Sequence, residues 1–343
     1  MRERINIIAG RLPIPEGLAE RVDLLEFADA HHVLGQLAVT WLDSATGKTA
    51  EVLENGLFRA MFDHQMLRFE MDRLERALLG SGISPVILKG GAYVATGSKA
   101  GLGRRVSDLD ILVSKDQLEE VELLLKQADW EFESGVDNAY DSGYYRKYMH
   151  ELPPLRHKKR RTLIDVHHKL VPQTSRYNIN SDLMIEAAKR LPGTRLRTFT
   201  AVDQFIHSAV HSFADGAFDT PTRSVLELYL LFSELSSAER GNLGQRAKEV
   251  GASRPVSVAL WILAESKGEK PAEDVRRALS GNLVKYAFKR KLQHPDANHL
   301  AKLLLFVRSH LIRMPLHLLA AHSIRKFLRS IHRLTATESQ QGS

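Results

Sequence analysis

The sequence predicts an α+β protein, with a mixed sheet core between a helical N-terminal part and a mostly helical C-terminal domain. Short apolar runs edged by glycine and proline, the mark of strands, crowd into residues 83–170. Apolar residues at helical spacing dominate before and after that segment. The expected divisions are a helical region at 1–82, an α/β core at 83–170, a helical domain at 171–336 and a disordered tail at 337–343. A chain of 343 residues is long enough for one large domain or two ordinary ones.

The elements follow in order. Residues 18–42 show helical apolar spacing, and 51–79 read as a long amphipathic helix stopped by Gly80 and Gly82. In "SPVILKGG", Pro85 opens a short strand. A tight turn and a short helix from Gly91 to about Thr96 follow, then a second strand, "SDLDILV". "SKDQLEEVELLLKQADW" reads as a helix with Ser114 as N-cap. Strand-like segments recur at 130–135, 143–151 and 161–168, with "RHKKRR" at 156–161 as a solvated basic turn. Helices are expected near 180–190, 201–215, 221–235, 240–251, 256–265 and 271–292. The segment 297–336 carries seven Lys or Arg, five His and no acidic residue, and Pro315 should break it. Its leucines suit a packed helical pair with a cationic outer face. Its charge suits RNA or an anionic membrane surface, and the residues alone leave both readings open.

Composition narrows the classes. There is no cysteine, which excludes disulfides and Cys-ligated zinc or iron–sulfur sites. The net charge of +7 favours an anionic partner without choosing one. No 18-residue uncharged apolar run occurs, so no membrane span is expected. The N-terminus makes a poor secretory signal, and the cytoplasm is the expected compartment.

The aspartates of "SDLDILV" need a reason, because aspartate is depleted in strands. Alternate strand residues share a face, so Asp108 and Asp110 project together, roughly 6–7 Å apart at Cα. Leu109 and Ile111 point the other way. Two like charges on one face suit a hard divalent cation with oxygen ligands. Upstream, Gly90 and Gly91 allow close backbone approach, and the start of the helix behind them suits a phosphate. "TLIDVHHKL" supplies a third acid: Leu163, Asp165 and His167 share one strand face. A strand lying beside "SDLDILV" would bring Asp165 to the pair.

"LKGG", "SDLDILV" and "LIDVH" together resemble the nucleotidyltransferase-fold (DNA polymerase beta-like) superfamily. Within it, the chain is most similar to the bacterial uncharacterised nucleotidyltransferases. It shares with them an Arg shortly before the D-x-D and a later helix of the form seen in "AVDQFIHSAVHSF". The resemblance covers roughly residues 20–235.

The resemblance implies a nucleotidyltransferase-like core and a metal-dependent enzyme. It would transfer a nucleoside monophosphate from a nucleoside triphosphate, such as ATP, to a hydroxyl-bearing acceptor, releasing pyrophosphate. Asp108, Asp110 and Asp165 would be the catalytic acids and would hold two Mg2+ ions, with Mn2+ as a substitute. Lys89, Gly90, Gly91 and Arg105 would meet the phosphates. His167, His207 and His211 are candidates for the acceptor pocket, and His168 reads as structural. The acceptor is a small molecule or peptide by preference, as in biosynthetic tailoring, with RNA as the other choice. Alternatives are a sugar-nucleotide glycosyl transfer or other phosphate-linked transfer, a nucleic-acid-modifying toxin, and a non-catalytic scaffold.

Overall fold

The structure, a computed structural model, describes residues 1–133, 148–278, 281–294 and 299–315. The earliest elements are helices: α1 (Arg2–Ile8), α2 (Leu18–Ala30), α3 (Leu34–Trp41) and the long α4 (Gly47–Ala77). The apolar stretch at 18–42 is divided into α2 and α3 at His32, whose φ of +57° cannot continue a helix. Helix α4 ends just ahead of Gly80 and Gly82, which take φ values of +89° and +76°.

The chain then enters the sheet through β1 (Val86–Ile87), α5 (Lys89–Thr96) and β2 (Asp108–Leu112). Helix α6 (Leu118–Gln127), β3 (Trp130–Phe132), β4 (Leu155–His157) and β5 (Leu163–His167) follow. Beyond α7 (Ser181–Ala187), β6 (Lys189–Arg190) and β7 (Arg197–Thr198) add two short strands. The sheet order is β3-β4-β5-β2-β1-β7-β6, and it is mixed: β2 runs parallel to β5 and antiparallel to β1. Leu109, Ile111, Ile164 and Val166 are fully buried on one face, so the alternation commits Asp108, Asp110, Asp165 and His167 to the other.

The rest of the described chain is helical: α8 (Ala201–Val210), α9 (Pro221–Glu234), α10 (Ser237–Glu249), α11 (Ser253–Lys267), α12 (Glu273–Ala278), α13 (Asn282–Gln293) and α14 (His299–Arg313). Their starts are written locally. Thr200 accepts a hydrogen bond from the Asp203 amide at α8, and Ser236 with Glu239 forms a capping box at α10. One apolar cluster runs from Ile5 through the sheet to Leu305, so sheet and C-terminal helices share a core.

Several expectations are corrected. Helix α5 begins at Lys89, so Gly90 and Gly91 lie in its first turn rather than in a turn before it. Ser114 makes no side-chain cap; a 3-10 turn at Lys115–Gln117 intervenes before α6. The 156–161 segment is not a free basic turn, because Arg156 pairs with Glu133 and Arg160 with the buried Glu70 of α4. The helix expected at 271–292 is split at Gly281, where φ is +99°. One expectation is met: helix α14 stops at Arg313, ahead of Pro315. The expected tail at 337–343, and most of the strand expected at 143–151, lie outside the described residues.

Candidate active site

The site is built on an elbow between β1 and α5. The Leu88 amide donates to the Asp110 carbonyl at 3.0 Å, the last sheet bond before the chain turns. Lys89 takes up the turn with φ of +46°, a left-handed conformation that costs a non-glycine residue on the order of 1 kcal/mol or more. Its Nζ lies 2.6 Å from Asp110 Oδ1. The glycines that follow are dictated by packing. A Cβ on Gly90 would stand 2.2 Å from the Arg104 guanidinium, and one on Gly91 would stand 2.8 Å from Ile87 Cγ2.

Strands β2 and β5 pair so that Asp110 lies directly opposite Asp165. Asp110 is 4 % exposed, whereas Asp108 and Asp165 are half-buried. Asp110 Oδ1 also meets His167 Nε2 at 3.0 Å. A carboxylate can only accept, so His167 carries its proton on Nε2. Burial opposes charge on Asp110, but Lys89 and His167 outweigh it and hold the carboxyl far below its usual range. Burial likewise opposes charge on Lys89, and Asp110, Glu151 and Asp108 overcome it. Asp165 has no such partner among the described residues. Burial first, then Asp110 and Glu151, push it up to about 7.

Helix α8 and the chain before β4 wall the carboxylates in. Helix α8 passes into a π-helical turn, His211–Asp215, a distortion frequent at functional sites. Burial, then the His211 charge and Lys89, depress His207 well below the ordinary histidine range. His211 is depressed by its crowded setting and by Lys89. On the other side, His167 Nδ1 is 3.3 Å from Glu151 Oε2, and His150 Nε2 is 3.7 Å from Asp215 Oδ2.

A buried network fixes the elbow from behind. Glu227 of α9 accepts from Tyr93 (3.0 Å) and Ser208 (2.7 Å) on one oxygen and from Arg104 (2.9 Å) on the other. Burial works against its charge, but Arg104 prevails and lowers its pKa to about 2. Beside it, Arg223 is lowered to about 10 by Arg104 and then by burial, and it also feels the Asp108 charge.

The structure thus brings together Lys89, Asp108, Asp110, Asp165, His167, His207 and His211. It sets Arg105 apart: that guanidinium is committed to Asp63 of α4. His168 is buried away from the carboxylates, on the opposite strand face to His167. Asp203, part of the α8 pattern, is fully buried in a bidentate pair with Arg246 (2.9 and 2.8 Å) and bolts α8 to α10. Sequence reasoning missed His150, Glu151, Asp215, Arg223 and Glu227. The first two carried a readable signal, the His-Glu pair just upstream of the Asp165 strand; the others lie on helices without a local pattern.

The site thus combines a strand–elbow–helix with paired acids on adjacent parallel strands of a mixed sheet. The chain belongs to the uncharacterised nucleotidyltransferase family, whose model matches residues 19–268. No curated protein and no solved structure matches it. Among the described residues, no helix is long and apolar enough to cross a membrane.

Proposed function

We propose that the protein transfers a nucleoside monophosphate from a nucleoside triphosphate to a hydroxyl-bearing acceptor, with release of pyrophosphate. The observation that carries this reading is the in-register Asp110–Asp165 pair with Asp108 on the same face. The donor set fits Mg2+: all its groups are carboxylate oxygens, converging on one face of the sheet. Asp108, Asp110 and Asp165 would hold the ion or ions. Magnesium would neutralise phosphate charge and acidify the acceptor hydroxyl.

The chain's own groups do the rest. The first-turn amides of α5 point the positive end of the helix dipole at incoming phosphates. Lys89 Nζ brings a full positive charge to the same place. An acceptor oxygen forms its bond to the α-phosphorus as the bond to the β-phosphate oxygen breaks. The hydroxyl proton passes to Asp165, the carboxylate nearest Asp110 across the paired strands. Arg104, Tyr93 and Glu227, bonded to one another, hold the elbow from behind.

The reading is tested by product analysis. The protein is incubated with ATP, GTP, CTP or UTP, Mg2+ and cell extract. Magnesium-dependent pyrophosphate release, absent from Asp108→Ala/Asp110→Ala, is expected. Nucleoside diphosphate in its place would move the protein to glycosyl or phosphoryl transfer.

A further inference from the structure

The carboxylate set does not account for every ligating side chain at this end of the sheet. His150, Glu151 and His167 bring one ligand atom each to within 4.8 Å of one another. The closest edge, His167 Nδ1 to Glu151 Oε2, is 3.3 Å, and His150 Nε2 to Glu151 Oε2 is 3.9 Å. Ligand atoms about 2.0–2.1 Å from a tetrahedral zinc ion stand about 3.3–3.4 Å apart, so one edge already fits.

A second observation concerns His150 itself. It is 5 % exposed, and among the described residues its Nδ1 has no hydrogen-bond partner. Its Nε2 faces two carboxylates, Glu151 at 3.9 Å and Asp215 at 3.7 Å, at distances too long for hydrogen bonds. A buried histidine normally satisfies its ring nitrogens. It is the other nitrogen, Nε2, that is aimed between the carboxylates, where a cation would sit. Charge agrees: Asp110, Asp165, Glu151 and Asp215 converge around Lys89 and the two histidines.

We propose that His150 Nε2, Glu151 Oε2 and His167 Nδ1 bind one borderline divalent ion of the zinc class, with Asp215 in reach as a further ligand. Two imidazoles and a carboxylate favour such an ion over magnesium, which prefers oxygen. Two histidines and a glutamate with an open fourth position are also a donor set of catalytic zinc sites. The site differs from the Asp108–Asp110–Asp165 set but is wired to it. His167 offers Nδ1 to the ion while its Nε2–H donates to Asp110, the second-shell arrangement that fixes a ligating histidine's tautomer. The proposal stands on this geometry whether or not nucleotidyl transfer is the reaction.

The test uses tag-free, full-length protein stripped with chelator and titrated with Zn2+ against a chromophoric chelator. Co2+ is titrated in parallel and its visible absorption recorded. One site per chain is expected. Glu151→Gln and His150→Asn should each weaken it about tenfold or more and remove the low-coordinate Co2+ spectrum. Asp72→Asn, on the exposed face of α4, should leave both readouts unchanged. Melting curves of each variant show that it is folded, and Glu151→Gln preserves shape if His150→Asn does not fold. The proposal is overturned by wild-type protein without a saturable site, or by equal Zn2+ affinity in wild type, Glu151→Gln and His150→Asn. The chain's surface histidines would then be the binders.

Discussion

Asp165→Asn should remove the chemistry and yet make the metal-free protein more stable. Burial and the neighbouring acids raise the native pKa of Asp165 from 3.8 to about 7. The native state therefore holds a proton that the unfolded chain releases. This contribution is fully present below pH 3.8 and is lost as pH rises through 7. Each pH unit inside that window is worth about 1.4 kcal/mol. The charge thus costs the native state roughly 1–2 kcal/mol at pH 5 and on the order of 4 kcal/mol at pH 8. Asparagine stays neutral throughout, so its advantage should grow by about 2–3 kcal/mol between those pH values. Urea unfolding with EDTA at pH 5 and pH 8 measures it as the difference from wild type at each pH. A gap that does not widen with pH, or a variant less stable at pH 8, would refute the reasoning.

Its register partner should behave in the opposite way. Asp110→Asn leaves the Lys89 ammonium buried without its partner and should lower stability by roughly 3 kcal/mol in the same unfolding assay. Gly90→Ala drives a methyl into the Arg104 guanidinium and should sharply lower the melting temperature. Gly241→Ala, with open space at its Cβ in α10, should raise it slightly. Arg105→Ala removes a half-exposed pair with Asp63 and should change stability by less than about 1 kcal/mol, with pyrophosphate release close to wild type. Lys89→Met should instead weaken nucleotide binding, read by calorimetry with each triphosphate and Mg2+.

The sequence made the carboxylate set legible because strand alternation is so strict. An aspartate two residues from another, with leucine and isoleucine between and after, can face only one way if the apolar pair is buried. "TLIDVHH" obeyed the same rule, so Asp165 and His167 could be placed on one face before any pairing was known. The remainder was hidden for particular reasons. Strands β6 and β7 have two residues each, too few to show a period. Arg104 and Arg105 are adjacent and chemically identical. Only packing reveals that the first fills the space left by Gly90 and the second turns out to Asp63. Glu151 reaches the site through a single bridge to the His167 backbone. Glu227 lies more than 100 residues from Tyr93 and Arg104, so no local pattern could announce their network.

The most direct measurement follows the phosphorus. The protein is given Mg2+, an acceptor-containing extract and one nucleoside triphosphate labelled either at the α- or at the γ-phosphate. Nucleotidyl transfer predicts that α-label enters the acceptor pool, that γ-label leaves as pyrophosphate, and that Asp108→Ala/Asp110→Ala does neither. Acceptor labelled from the γ-position, or no label transferred from any of the four triphosphates, would contradict the account.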